Sequence, residues 1–284
     1  MSIQRNLSGL AGLLAWGMIG GGVLADTPKE SSPHTVTANL GVVSNYIFRG
    51  LTQTWDQPAV QGGVDYSHAF GWYAGAWASS ISDRQFANGF AEADLYGGYN
   101  GKFTDDWTWT LGMIGYLYPG ANYDQVKPAG TYRDQGYHTF ELNAGLGYQW
   151  VSLKVSVALT DYFGANVKTG YTGDSQGSTY VDVTANVPLP ASIFTRDVTL
   201  PLHVGRTNYT NKLAAATING GTNPDYTDYK IGLTKAFDGG WTLGAAYVYA
   251  DNKAVYNGVA SAKDPANTRN LGGGNVLVSL TKTF

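Results

Sequence analysis

Cysteine is absent from the 284 residues, so the chain has no disulfide framework, no thiolate nucleophile and no cysteine-based metal site. Charge is scarce as well: Asp, Glu, Lys and Arg together make up 14%, against about a quarter in ordinary soluble domains. A formal net charge of −3 leaves no basic footprint and argues against nucleic acid as a partner. The four histidines, His34, His68, His138 and His203, fall at spacings that suit neither a metal nor a nucleophile–base pair. The expectation is therefore no cofactor, no metal and no catalytic residue. Past Leu24 no apolar run approaches the roughly 18 residues a spanning helix needs. What is plentiful is apolar residues at 43%, with 38 Gly and 20 Tyr, a mixture that suits many turns, small inward residues and aromatic belts.

The amino terminus reads as a secretory signal, Met1–Ala25. Arg5 gives it a positive start, Leu7 to Leu24 an apolar run, and Val23-Leu24-Ala25 a small-residue cleavage site. A retained anchor is the lesser alternative, because Gly and Ala dominate the run. Residues 26–34, with Pro28, Pro33 and two serines, form a flexible lead-in. Residues 35–284 are then one domain. A membrane protein without spanning helices has to be a closed barrel, since every backbone amide in lipid needs a partner inside the protein.

The last ten residues carry the clearest signal. Val276, Val278, Leu280 and Phe284 fall on one face, with only Lys282 out of pattern, while Asn275, Ser279, Thr281 and Thr283 fall on the other. The natural partner is Thr35–Gly50, where Val36, Ala38, Leu40, Val42, Tyr46 and Phe48 share a face opposite Thr37, Asn39, Gly41, Asn45 and Arg49. Pairing of these terminal strands closes the sheet. About twelve alternating segments follow from the same reading, near 35–50, 59–69, 71–82, 89–100, 107–118, 137–149, 151–163, 178–188, 196–208, 225–237, 241–251 and 273–284. Connections after even strands are short and those after odd strands mostly long, as in outer-membrane barrels with periplasmic turns and extracellular loops. The predicted fold is thus all-β, a transmembrane antiparallel up-and-down barrel of about twelve strands, in the Gram-negative outer membrane.

Trp72, Trp107, Trp150 and Trp241 each sit at or just beyond a short turn, and with Phe284 they predict a periplasmic aromatic girdle. The opposite strand ends carry Tyr46, Phe48, Tyr116, Tyr118, Tyr137, Tyr162, Phe163, Tyr226, Tyr229, Tyr247 and Tyr249. Core aromatics of a soluble sandwich are the competing reading for any single one.

Leu40-Gly-Val-Val-Ser-Asn-Tyr-Ile-Phe-Arg-Gly50, Gln53, Pro58-Ala-Val-Gln-Gly-Gly-Val-Asp65-Tyr66 and Gly71-Trp-Tyr-Ala-Gly75 resemble the amino-terminal signature of the TorF-type porin family. These proteobacterial outer-membrane proteins were formerly of unknown function. Glu92-Ala-Asp94-Leu-Tyr-Gly-Gly-Tyr99, Tyr116-Leu-Tyr-Pro-Gly120, Asp161-Tyr-Phe-Gly164 and Tyr226-Thr-Asp-Tyr-Lys230 extend the resemblance over the mature chain. It implies an outer-membrane channel with no particular substrate. The loops Pro119–Gly136 and Tyr209–Pro224 match least, so no solute preference follows from them.

The polar faces of the strands give the candidate pore-lining groups Arg49, Gln61, Asp65, Glu92, Asp94, Glu141, Asn143, Lys154, Asp182, Asn186, His203 and Lys230. An Arg or Lys facing lipid at mid-depth would cost roughly 2–4 kcal/mol, which favours the inward direction. Glu92 with Asp94 is the most pointed cluster, a cation-attracting patch rather than a glycosidase pair. The alternative is that Arg49 and Lys154 pair with Glu92, Asp94 or Glu141 and block the bore, since twelve strands lie between filled and open barrels. Two functional classes remain: a passive porin for small hydrophilic solutes or ions with mild cation preference, and a non-conducting barrel acting through its loops. A barrel-borne hydrolase is the least supported. Expected partners are outer-membrane lipid, small solutes or ions, and the barrel-assembly machinery through the strand ending in Phe284.

Overall fold

The computed structural model describes residues 32–217 and 220–284. The expected leader, Met1–Ala25, and most of the lead-in lie outside them. Twelve antiparallel strands form the wall: β1 His34–Val43, β2 Ala59–His68, β3 Trp72–Ser80, β4 Ala91–Lys102, β5 Trp107–Leu117, β6 Thr139–Tyr148, β7 Val151–Ala158, β8 Thr179–Pro188, β9 Val198–Asn208, β10 Tyr226–Phe237, β11 Trp241–Ala250 and β12 Gly273–Thr283. Each pairs with its neighbours in sequence, and β1 pairs with β12 from Asn39 opposite Thr283 to Val43 opposite Ser279. The barrel is closed and has no free edge.

The alternation decides which medium surrounds it. On β12, Val276, Val278 and Leu280 are 68%, 46% and 41% exposed, whereas Leu277, Ser279 and Thr281 are buried. On β4, Leu95 points out while Glu92, Asp94 and Tyr96 are buried inside. Apolar residues outside and polar residues within are the reverse of a water-soluble sandwich, and they match a barrel solvated by lipid. No helix among the described residues is long and apolar enough to cross a membrane; the strands supply the crossing.

Short turns join β2–β3, β4–β5, β6–β7, β8–β9 and β10–β11, all at the end that also holds both chain ends of the barrel. There the Phe284 amide donates to the Ala38 carbonyl at 2.8 Å. The other end carries six longer loops that interlock. The Lys127 amide reaches the Ala262 carbonyl (2.8 Å), the Ala262 amide the Arg84 carbonyl (2.6 Å), and the Thr172 amide the Lys212 carbonyl (2.8 Å). The Tyr256 hydroxyl donates to the Pro224 carbonyl at 2.7 Å, and Lys263 pairs with Asp83.

The first strand ends earlier than the alternation predicts. Thr35–Gly50 reads as one two-faced segment, yet β1 stops at Val43, where the Ser44 amide donates to the Val278 carbonyl at 2.8 Å. Residues 44–58 then turn into the barrel as a small hairpin, with Ile47–Phe48 paired to Leu51–Thr52. A hairpin strand alternates as a wall strand does, so the pattern runs across the break without marking it. Tyr46 and Phe48, placed by alternation on the outer face with Val36, are 2% and 7% exposed inside the bore.

The aromatics at the long-loop end need a second correction. Tyr116, Tyr118, Tyr137, Tyr162 and Tyr226 are all buried, and Phe163 packs against the same interior cluster. Among those predicted there, Tyr229 and Tyr247, at 47% and 50%, face outward as a belt requires. At the short-turn end Trp72, Trp107, Trp150, Trp241 and Phe284 are 61%, 41%, 46%, 45% and 65% exposed.

The barrel lumen as the candidate functional site

The lumen is built on the inward positions of the strands and on the hairpin that crosses it. Asn45 braces the hairpin base: its amide donates to Asp56 Oδ1 at 2.9 Å, and its carbonyl accepts from Thr52 (2.6 Å) and Thr54 (3.0 Å). Asp56 in turn holds Arg269 of the last long loop at 2.7 Å. At the tip, Arg49 and Gly50 have φ of 46° and 78°, the left-handed region. Glycine is required at position 50 on both counts: a Cβ there would lie 2.5 Å from Asp228 Cβ on β10 and 2.8 Å from Ala250 Cβ on β11.

Arg49 is therefore a loop residue rather than a strand residue. Its guanidinium makes two parallel bonds of 2.8 Å to Glu141 on β6 and a third, of 2.7 Å, to the Tyr162 hydroxyl. It lies 4.1 Å from the Tyr180 ring centroid and 4.9 Å from that of Phe48. This forked, ring-stacked geometry is specific to arginine. The pairing of Arg49 with Glu141 across the bore is the blocking arrangement entertained from sequence. Tyr46 adds a tie to β4, its hydroxyl donating to Glu92 Oε1 at 3.0 Å.

Around this hairpin stands a tier of carboxylates. Glu92, Asp94, Glu141, Asp182 and Asp228 are 0%, 7%, 2%, 2% and 2% exposed, so the bore is filled at their level. Glu92 Oε2 and Asp94 Oδ1 have no hydrogen-bond partner, and neither residue has an ion pair among the described residues. Asp228 accepts from His203 Nε2 at 2.9 Å and from the Tyr180 hydroxyl at 3.0 Å. His203 also meets Thr184 Oγ1 through Nδ1 at 2.8 Å.

Beside and below this tier the lining includes cations. Lys154 stands opposite Asp182 in the β7–β8 register, and Lys230 opposite His203 in that of β9–β10; both lysines are half-buried. Asp65 accepts from the Tyr96 hydroxyl at 2.6 Å. Gln61 and Asn143 are buried inward, and Asn186, close to the short turn, is exposed. Among the described residues no group of three or more His, Asp or Glu could hold a metal.

The structure thus brings Arg49, Glu92, Glu141 and Asp182 into one filled level with Asp94, sets Lys154 beside Asp182, and leaves Asp65 and Lys230 outside it. Asp228 was missed, although it lies two residues before Lys230 and the period of two alone would have found it. Tyr180 was missed for want of a charge.

The chain belongs to a bacterial family of proteins of unknown function (Gcw_chp), whose model matches residues 27–284. A search of curated proteins gave no match. Solved structures of similar architecture include a NanC porin at 14% identity (TM-score 0.47, 87% of this chain and 99% of that one). A KdgM porin solved in complex with disordered oligogalacturonate is 7% identical (TM-score 0.48, 88% and 99%). OprD from Pseudomonas aeruginosa is 12% identical (TM-score 0.36, 90% and 68%). Likeness at this level concerns the barrel as an architecture and says nothing of what enters it.

Proposed function

We propose that the protein is a porin of the Gram-negative outer membrane, a passive channel for small hydrophilic solutes or ions, held shut in this conformation by its first loop. One observation carries the reading: residues 44–58 occupy the bore as a separate hairpin, fastened at its tip by the pair that Arg49 makes with Glu141 of the wall. A wall of twelve strands is wide enough to need such a filler. The short turns are then periplasmic and the interlocked loops extracellular. Met1–Ala25 serves as a cleaved signal, and the strand ending in Phe284 engages the assembly machinery. A TorF-type assignment agrees with this role, which is transport rather than catalysis.

The pore-lining groups of the open state are Asp65, Glu92, Asp94, Glu141, Lys154, Asp182, His203 and Lys230, joined by Asp228, with Arg49 as the closing group. Glu92 and Asp94, without a counter-ion, give the channel a mild cation preference. The refolded protein in planar bilayers, compared with the variant Arg49→Ala, tests all of this. Conductance steps that become longer or more frequent in the variant are expected, and Glu92→Gln with Asp94→Asn should lower the cation-to-anion permeability ratio.

A second reading has its own support: the loops interlock over the mouth, and a polar cavity of about 270 Å³ opens between the third and fourth of them, lined by Gln135, Asp161, Asn166 and Lys168. On that reading the barrel conducts nothing and its loops bind a partner. Folded wild type and folded Arg49→Ala that are both silent in the bilayer would select it and reject the channel.

A further inference from the structure

Lys282 breaks the apolar face of β12, and the structure shows what surrounds it. Its ammonium lies on the outer, lipid-facing side at the short-turn end, donates to the Gly239 carbonyl, and sits 5.7 Å from the Trp241 ring centroid and 5.2 Å from that of Phe284. Two strands away Lys235 repeats the arrangement. It follows Ile231 and Leu233 on the outer face of β10, donates to the Arg196 carbonyl, and lies 5.6 Å from the Phe237 ring centroid. Trp241 pairs with both Phe237 and Lys282, so the two lysines stand on one patch across β10–β12, about 12 Å apart by two strand spacings and a stagger of two residues.

Neither lysine has an ion pair among the described residues, although Asp197 and Asp238 lie in the adjoining turns. A cation on the lipid face costs least at the interface, where anionic headgroups offer a counter-charge. The aromatic rings fix the depth of the patch and hold the ammonium groups toward the headgroup layer. We propose that Lys235 and Lys282, framed by Phe237, Trp241 and Phe284, form a binding site for the phosphate headgroup of an anionic phospholipid in the leaflet at the short-turn end. The site rests on the barrel being a membrane protein and is independent of whether the bore conducts.

The test titrates the refolded protein in detergent with phosphatidylglycerol, phosphatidylcholine or inorganic phosphate and follows bound lipid by native mass spectrometry. Phosphatidylglycerol is expected to bind in preference to phosphatidylcholine, and Lys235→Gln with Lys282→Gln to weaken it about tenfold. Lys102→Gln, at the same end but outside the patch, is expected to leave binding unchanged. Retained heat-modifiable mobility on gels shows that the double variant has folded; if it has not, each single variant is read instead with a smaller loss. Equal affinity for the two lipids, unchanged affinity in the folded variants, or displacement of the lipid by inorganic phosphate at comparable concentration would each overturn the proposal.

Discussion

The two halves of the lumen are built from different materials. Toward the long loops the bore holds large side chains and buried charge: Arg49 locked to Glu141, Tyr180 over the guanidinium, Tyr46 bonded to Glu92, and Gly50 against the opposite wall. Toward the short turns the same strands carry Gly63, Gly75, Gly112, Gly145, Ser152, Thr184 and Thr242 inward. The tyrosines there lie against the wall rather than across the bore: Tyr96 fills the place of a side chain at Gly75, and the Tyr73 hydroxyl does so at Gly112. Strand number sets the circumference equally for both halves. What is inserted, and how it is fastened, makes one shut and leaves the other lined by small side chains.

The largest effect is expected from breaking the fastening. Glu141→Ala leaves the Arg49 guanidinium buried without its carboxylate, a loss of roughly 3–5 kcal/mol where one partner of a buried pair is removed. The least costly response is for the hairpin to leave the bore, because its other ties are single neutral or singly charged bonds. The bond after Arg49 is itself a trypsin site, shielded while Arg49 is 4% exposed. Glu141→Ala should therefore make native protein cleavable between Arg49 and Gly50, while wild type stays intact. Continued protection in the variant would mean that the hairpin is a fixed part of the core and that the halves do not differ in kind.

A smaller effect should follow at Gly50. A methyl group placed 2.5 Å from Asp228 Cβ and 2.8 Å from Ala250 Cβ forces the tip back, and alanine at φ 78° adds backbone strain. Together these come to about 2–3 kcal/mol. Gly50→Ala should raise hydrogen exchange across residues 45–57 and leave the strand amides as protected as before. Exchange rising throughout the barrel would show that the tip supports the wall as well.

Most of the wall was legible in the sequence, because lipid outside and polar groups inside impose a period of two on every strand, and the turn lengths alternate with it. Val276, Leu280, Glu92 and Asp182 are on the faces that the period assigns them. The hairpin was not legible. Tyr46 and Phe48 continue the alternation of β1 by coincidence of phase, and nothing local distinguishes a strand that runs on from one that folds back within two residues. Arg49 is legible as inward and as a candidate for a pair across the bore, but which of Glu92, Asp94 and Glu141 holds it is not, since its partner lies 92 residues away in sequence. The interior tyrosines cannot be told from a belt by position alone, because an aromatic at a strand end suits headgroups and a crowded mouth alike.

The smallest effect belongs to the short-turn half, and it sharpens the contrast most. At Gly112 an added Cβ would lie 2.1 Å from the Tyr73 hydroxyl and 3.0 Å from Asn143 Oδ1. The near atom is the far end of a side chain with no hydrogen-bond partner, so it can swing aside into the lumen. Gly112→Ala is thus expected to cost only about 1 kcal/mol, at the low end for overpacking. It should lower the unfolding midpoint in urea slightly and leave Arg49 as resistant to trypsin as in wild type. Tyr73→Phe in the same background should return part of the loss, because the clash is with the hydroxyl. If Gly112→Ala instead opens the Arg49 site, strain passes from the lower wall to the hairpin, and the lumen has to be treated as one packed unit.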